Sequence, residues 1–402
     1  MNEWKKVKLK DCCHSISDGD HLPPPKSNSG VPFVTIANID ATNHIDFGNT
    51  MFVPYEYYNN LNDIRKAKFN DILYSVVGSF GKPVLIKENK PFAFQRHIAI
   101  LRPNNEIVDS RFLYYVMLSR DFYMQADTVA IGAAQRTISL TALRNMEVEL
   151  PSMEIQHRIA TILSRYDSLI ENYQKQIKLL EEAAQRLYKE WFIDLHFPGH
   201  ENTKIVDGVP EGWERKKVGE IGTVITGKTP STSNKENYGG SIPFITIPDM
   251  HTGIYPVSSV FLSEKGAESQ SKKYIPQGAL IVSCIGTAGL VCITKERCQT
   301  NQQINSLILD DKEMLHYMYF VFLSLKEHLN NIGSNGATMT NVNKSKFEGI
   351  DIVVPSSCII RDFSQRTTPY FENIKSLQSQ LCLLTEARDR LLPKLMSGEI
   401  TV

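Results

Sequence analysis

A long internal repeat limits this chain more than any other feature. Trp4 to Ile36 (WKKVKLKDCCHSISDGD, then VPFVTI) runs parallel to Trp213 to Ile247 (WERKKVGEIGTVITGKTP, then IPFITI). LYSVVGSFG at 73–81 follows the same course as LIVSCIGTAG at 280–289, with Ser75, Gly78 and Gly81 opposite Ser283, Gly286 and Gly289. Gly132-Ala133, Leu143 and Pro151 recur as Gly336-Ala337, Phe347 and Pro355 at a constant offset of 204. Solenoid units repeat every 20–50 residues or so. A period of about 205 residues therefore describes a duplicated domain with a duplicated connector.

Both repeats follow one internal plan. Short β-type runs (VPFVTI, DILYSVVG and HIAILRP, then IPFITI, ALIVSCIG and INSLILD) are separated by Gly, Pro and Asn. A single helical stretch interrupts each, SRFLYYVMLSRDFYMQ near 110–125 and EMLHYMYFVFLSLKEHLN near 313–330. The fold class expected is α+β, with two tandem mixed α/β domains separated and followed by long helices. The boundaries expected are 1–150 for the first domain, 151–205 for a central helix and linker, 206–355 for the second domain and 356–402 for a C-terminal helix.

The connector carries its own signal. Apolar residues fall at Ile159, Leu163, Tyr166, Ile170, Tyr173, Ile177, Leu180, Ala184, Leu187 and Trp191, in alternating steps of 4 and 3. That is the a/d stripe of a coiled coil. Over these residues a helix runs about 48 Å at ~1.5 Å per residue. Adding 204 gives Phe363, Thr367, Tyr370, Ile374, Leu377, Leu381, Leu384, Arg388, Leu391 and Leu395, eight of them apolar. Proline is excluded from helix interiors but suits a first turn. Pro369 thus predicts that the second helix starts near Thr368, and Pro393 that it ends or kinks there. A 3.5-residue stripe requires a partner. Either each helix packs on its own globular domain, or the two pair as an antiparallel coiled coil with Ile374, Leu377, Leu381, Leu384 and Leu391 facing the first stripe. The heptad fidelity favours the second.

Composition removes several classes. Forty-four Lys and Arg offset forty-four Asp and Glu, and 42% of the 402 residues are apolar. The chain is neither a polybasic tail nor a disordered polyelectrolyte. No apolar run approaches ~18 residues, so no membrane span is expected, and Met1 to Lys10 has no apolar signal core. Seven cysteines (Cys12, Cys13, Cys284, Cys292, Cys298, Cys358 and Cys382) include no CxxC pair, which fits a reducing, cytoplasmic setting. GTVITGKT at Gly222–Thr229 matches the phosphate-loop pattern GxxxxGK[ST]. Its middle is β-prone, however, and no helix pattern follows Pro230, as that loop would require. Glu88-x-Lys90 reads as a turn. Zinc, serine-hydrolase, dinucleotide and (D/N)PP(Y/F) motifs are lacking. No catalytic residue, cofactor site or metal site is therefore expected in this chain.

Polar clusters at loop-like places offer chemistry for nucleic acid. They are Lys82, Gln95-Arg96-His97 and Gln135-Arg136 in the first repeat, and Asn301-Gln302-Gln303 with Thr338 to Asn343, including Asn341, in the second. Arg pairs with guanine, and Gln or Asn with adenine, at the major-groove edge. The repeats keep the positions and change the residue types, as two different half-site readers would. Ordinary solvated turns would look the same residue by residue. Basic and acidic residues number 17 and 16 in 1–150, and 14 and 15 in 206–355. Such neutrality argues against strong unaided DNA binding, because phosphate contacts drive affinity.

Taken together, these features resemble the DNA-specificity subunit of Type I restriction-modification systems. The resemblance spans nearly the whole chain. It rests on PSMEIQHRIATIL at 151–163, WFIDLHFPG at 191–199, VPEGWERKKVGEI at 209–221, ITGKTPSTSN at 225–234 and LMSGEI at 395–400. Pro151, Glu154 and Gln156 approximate the family's Pro-Glu-Gln entry to its helix. The second repeat departs at Cys358-Ile359-Ile360-Arg361. The resemblance implies two target-recognition domains, each reading half of a bipartite, gapped site in double-stranded DNA, with an antiparallel coiled coil as the ruler. It implies two methylation subunits that carry adenosylmethionine, and restriction subunits that use ATP and Mg2+. It also implies that this chain itself is non-catalytic. Two other classes remain: a coiled-coil scaffold for protein partners, and a cryptic methyltransferase or nuclease subunit.

Overall fold

The computed structural model describes residues 4–402 apart from Leu22, Ala41, Ala134 and 335–340. The chain divides into two units, 1–170 joined by 383–402, and 171–382.

In the first unit, a four-stranded antiparallel sheet has the order Cys13–Asp18, Ile98–Pro103, Ile72–Ser75, Pro83–Leu85. A second sheet of three strands, Met51–Val53, Val31–Val34 and Ala93–Phe94, is parallel only between the last two. A third pairing, Lys5–Lys8 with Glu147–Leu150, joins the domain's ends. Strand side chains alternate between faces. Ile98 and Ile100 therefore enter one apolar cluster with Leu73, Val84 and Phe94, while Ala99 and Leu101 enter another with Ile72, Tyr74 and Phe112. The four-stranded sheet is thus the middle layer, buried on both faces.

The second unit repeats this layout. Its four-stranded sheet has the order Gly222–Thr226, Ile304–Leu309, Leu280–Ser283, Val291–Ile293, and its three-stranded sheet Val260–Leu262, Tyr238–Ile245, Gln299–Thr300. Glu214–Lys217 pairs with Asp351–Val354. Leu280, Val282 and Leu307 face the helical side, and Ile281 and Ile304 the other. Each expected single helical stretch is two helices, Ser110–Leu118 then Arg120–Val129, and Leu315–Ser324 then Lys326–Ser334. In the first pair Ser119 breaks the run: it leaves the helical conformation and its hydroxyl caps Phe122 N at 3.3 Å.

The first long helix spans Met153–Tyr188 and closes in a π-helical turn, Lys189–Ile193. The second spans Ser357–Met396. It therefore starts eleven residues before Thr368 and, at 40 residues against 36, is the longer helix. Pro369 lies inside it, and Pro393 does not end it. An interior proline costs ~3 kcal/mol. Phe363, Thr367, Phe371 and Ile374 are all buried around Pro369, and each large apolar side chain buried returns ~1.5–3 kcal/mol. In the turn before it, the Thr367 and Thr368 hydroxyls donate to the Phe363 and Ser364 carbonyls at 2.8 and 2.7 Å. Leu391, Leu392, Leu395 and Met396 hold the Pro393 segment against the first unit's core in the same way.

The apolar stripe is used twice. In the first unit Ile159 and Leu163 share one cluster with Phe112 and Leu113 of the domain and with Leu391 and Leu395 of the second helix. In the second unit Ile177, Leu180, Ala184 and Leu187 join Leu377, Leu381 and Ile374 together with Tyr317 and Phe320. Helix pairing and packing on the domain are thus one interface. Asp167 bonds Arg388 at 2.9 Å in the first unit, and Trp191 meets Phe363 at 5.8 Å in the second. An early residue of one helix meets a late residue of the other, so the helices run antiparallel. Ile170 is buried, whereas Tyr166, Tyr173 and Leu384 are half-buried.

Two outcomes follow from this packing. Leu163 is fully buried, so Leu163→Ala should destabilise the first unit by about 2–5 kcal/mol in chemical denaturation. His316 is buried, stacked on Phe371 at 4.0 Å and bonded to Thr367 Oγ1 at 2.9 Å. Burial pushes its pKa down to about 4. From its ordinary value near 6.5 down to about 4, the unfolded chain binds a proton that the folded one refuses. This contribution to stability is complete above that window and falls as pH drops through it, by at most ~1.4 kcal/mol per pH unit. Unfolding at pH 7 and pH 5 should show a smaller difference for His316→Gln than for the native chain.

Candidate nucleic-acid interface

The polar clusters gather at one end of each middle sheet, held by main-chain bonds that the two units share. After strand Ile72–Ser75, the Ser75 hydroxyl accepts Lys82 N at 2.9 Å and Gly81 N bonds Ser75 O at 3.0 Å. After strand Leu280–Ser283, the Ser283 hydroxyl accepts Leu290 N at 2.8 Å and Gly289 N bonds Ser283 O at 3.0 Å. Gly78 and Gly286 have φ of 68° and 78°, and Gly81 and Gly289 have 92° and 91°. These left-handed positions disfavour any side chain, which is why the glycines recur.

A neighbouring turn packs onto each loop. Ile98 N bonds Gln95 O at 3.1 Å and Ile304 N bonds Asn301 O at 3.2 Å, closing four-residue turns over 95–98 and 301–304. Val76 N bonds His97 O at 2.9 Å, and Cys284 N bonds Gln303 O at 2.8 Å. A third segment completes each group: Ile138 N bonds Val76 O at 2.8 Å, and Val342 N bonds Cys284 O at 2.9 Å; in the first unit Gly78 N also bonds Arg136 O at 2.9 Å. The structure thus brings Lys82, Gln95, Arg96, His97, Gln135 and Arg136 together in one unit, and Asn301, Gln302, Gln303 and Asn341 in the other. Thr338 lies outside the described residues.

The side chains in these groups differ in freedom. Arg136 is tied to the Asp127 carboxylate and main chain and lies over the Phe80 ring at 5.4 Å, so its charge is spent within the fold. Asn301 is buried; its Oδ1 accepts Gln303 N and its Nδ2 donates to Gln303 Oε1, both at 3.1 Å. Arg96 is exposed and makes no side-chain bond among the described residues. Gln302 is exposed too, and its Oε1 accepts a bond of 2.5 Å from Thr229 Oγ1. Cys284 is buried, which pushes its thiol up to about 12 and leaves it inert.

The segment that supplies Thr229 matches a phosphate loop in sequence but not in structure. Gly222–Thr226 is a sheet strand, and the only helical turn soon after is the three-residue Lys235–Asn237. The helix that a phosphate loop needs is missing there. Instead, Lys228 N bonds Thr300 O at 2.9 Å and Gly227 N bonds Ile304 O at 3.1 Å, laying the segment along the 301–304 turn. A Cβ on Gly227 would sit 2.1 Å from Asn301 O. The first unit has the same contact, with Gly19 bonded to Ile98 O and a Cβ there 2.1 Å from Phe94 O. Asp20 takes the place of Lys228, held by the Tyr57 hydroxyl at 2.8 Å and Arg65 at 3.3 Å. Burial, then the Asp20 carboxylate, pushes the Tyr57 hydroxyl up, so it stays protonated as the donor. The signal for this segment was the alignment of Gly19 with Gly227. Among the described residues, no group of three or more His, Cys, Asp or Glu could hold a metal ion.

Gly227→Ala should force the 301–304 turn to move. We expect a loss of about 1–3 kcal/mol in the stability of the second unit, read by chemical denaturation, with the first unit's transition unmoved.

Comparison with known proteins bears on this arrangement. A family model described as Type I restriction modification DNA specificity domain matches residues 1–182 and 210–362. The chain is 31% identical to the Type I restriction enzyme HindI specificity subunit of Haemophilus influenzae, over the full length of both. It is 30% identical to the MjaIX specificity subunit of Methanocaldococcus jannaschii, over 75% of this chain and 71% of that one. A crystal structure of a Type I restriction-modification S subunit from M. genitalium covers 98% of this chain and 96% of its own, with a TM-score of 0.66 at 17% identity. That last likeness concerns the fold.

Proposed function

The chain belongs to the Type I restriction-modification DNA specificity family, and on that premise we propose that it reads a bipartite, gapped site in double-stranded DNA, one half per unit. One observation carries this reading. The two units build the same loop, turn and third segment from the same main-chain bonds, yet present different side chains there: Arg96 against Gln302, Lys82 against Leu290, Asp20 against Lys228. A scaffold for protein partners has no need of matched frames with divergent polar tips. Direct readout needs both, since phosphate contacts place a protein and base contacts specify.

In this reading the chain performs no chemistry. Two methylation subunits would supply adenosylmethionine and act on adenines turned out of the stack. Restriction subunits would supply ATP- and Mg2+-dependent cleavage. The near-neutral units fit a division in which these partners provide much of the phosphate grip. The paired long helices would set the gap between half-sites. No helix among the described residues is long and apolar enough to cross a membrane. The DNA target of the proposed function would put the assembly in the cytoplasm.

The test is a methylome. Adenine methylation is mapped in cells carrying the methylation subunit with the native chain, without it, and with 206–355 exchanged for another domain of the family. The expected outcome is a gapped motif that vanishes without the chain and changes in one half only upon exchange. A motif indifferent to the chain, or altered in both halves, would overturn the reading.

A further inference from the structure

We propose that Arg96 and Gln302 are the equivalent reading residues of the two units, and that each presents mainly hydrogen-bond donors, so each favours a base edge made of acceptors. The proposal rests on the DNA-reading function above and adds which residues read and what they can read.

Position comes first. Arg96 and Gln302 are the second residues of the matched turns 95–98 and 301–304, set by Ile98 N to Gln95 O and by Ile304 N to Asn301 O. Their neighbours are less free: Gln95 and His97 are half-buried. Gln303 and Asn301 bond each other, and the His97 and Gln303 carbonyls hold the adjoining loops. Arg136, the other arginine of the first group, is held by Asp127. In their turns, Arg96 and Gln302 alone are exposed.

Donor character comes next. A guanidinium has five N–H donors and no acceptor. A free glutamine amide has both an acceptor and donors, and that combination matches adenine N6 and N7. Gln302 is not free: the Thr229 hydroxyl donates to its Oε1 at 2.5 Å and competes for that acceptor, while no bond among the described residues engages the Nε2 hydrogens. Gly227 makes this bond possible, because only a residue without Cβ lets the segment lie against Asn301 O. The Gly-Lys-Thr that resembles a phosphate loop is thus a brace for a reading residue. Asp20, in place of Lys228, is occupied by Tyr57 and Arg65, so the first unit needs no such brace for an arginine. In the major groove, guanine shows O6 and N7 as acceptors and thymine shows O4, while adenine and cytosine each show a donor. Arg96 therefore addresses guanine. Gln302 addresses an acceptor edge, guanine or thymine, in preference to adenine.

The test uses the full chain assembled with a methylation subunit, reading methyl transfer into duplexes with both half-sites randomised. Arg96→Gln should cost about 5- to 150-fold in discrimination at one position of one half-site, and Gln302→Ala the same at one position of the other. Thr229→Val frees the Gln302 carbonyl and should admit adenine at the Gln302 position, whereas Thr229→Ser should leave the motif unchanged. The untouched half-site in each variant reports that the chain is folded and assembled. At the Gln302 position, native preference for guanine or for thymine identifies which acceptor edge is read. Three results would overturn the proposal while the function stands: an unchanged motif in Arg96→Gln and Gln302→Ala, uniform weakening with no change of motif (phosphate contact only), or native preference for adenine at the Gln302 position. Absence of any motif from the native assembly would overturn the DNA-reading function, and this proposal with it.

Discussion

Each unit's apolar core is closed by helix that the chain delivers from elsewhere in its sequence, and the rest of the structure follows from that constraint. Leu391, Leu392, Leu395 and Met396, with Val402, complete a cluster otherwise built from residues before 164. Ile177, Leu180, Ala184 and Leu187 do the same for a cluster built mainly from residues after 217. The seam residues therefore touch a helix on one side and a sheet-backed helix layer on the other. This explains why the second helix continues through two prolines: helix geometry is dictated by burial on both sides, and the loss of one backbone bond is small beside it. It also explains buried Thr367 on a mostly apolar stripe. Its hydroxyl donates to Phe363 O and faces His316 Nδ1, so the polar group is satisfied within the seam.

The reading loops stand on the opposite logic. Their main chains are fixed mostly by main-chain bonds, joined by the buried Ser75 and Ser283 hydroxyls and, in the second unit, by the Asn301 and Asn305 side chains. A frame of that kind leaves the outward side chains free to differ without a cost in stability. Lys82 can stand opposite Leu290, and Arg96 opposite Gln302, because neither member of a pair holds the turn together. Duplication followed by divergence at the tips gives two readers on one frame. The asymmetry of Asp20 and Lys228 shows how far it goes: one site is internally neutralised, while the other keeps a lysine side chain with no ion pair among the described residues.

Much of this was legible without coordinates, for physical reasons tied to particular residues. The 4-3 spacing from Ile159 to Trp191 and the aligned Ser75, Gly78 and Gly81 with Ser283, Gly286 and Gly289 are local patterns. A stripe period or a left-handed turn leaves its mark within a few residues. Reading by local rules went astray where distant packing outweighed them. Pro369 and Pro393 mark helix ends locally and are helix interior in the fold. The GKT segment spells a phosphate loop locally and is a strand end laid on a turn some 75 residues further along. Arg136 looked like a reading arginine and is tied down by Asp127, whose approach depends on where the Arg120–Val129 helix packs.

The sequence by itself determined the duplication, the α+β plan of each half, the heptad stripe and the family, because periodicity and motif order are properties of the chain as written. Tertiary structure alone decided that the stripe binds helix and domain together, where the second helix begins, and which polar tips are free and which are spent. Those depend on residues far apart meeting at hydrogen-bond or van der Waals distance: Thr229 with Gln302, Asp167 with Arg388, and His316 with Thr367. No local pattern encodes such a meeting, since its free energy arises only when both partners leave water for the same site.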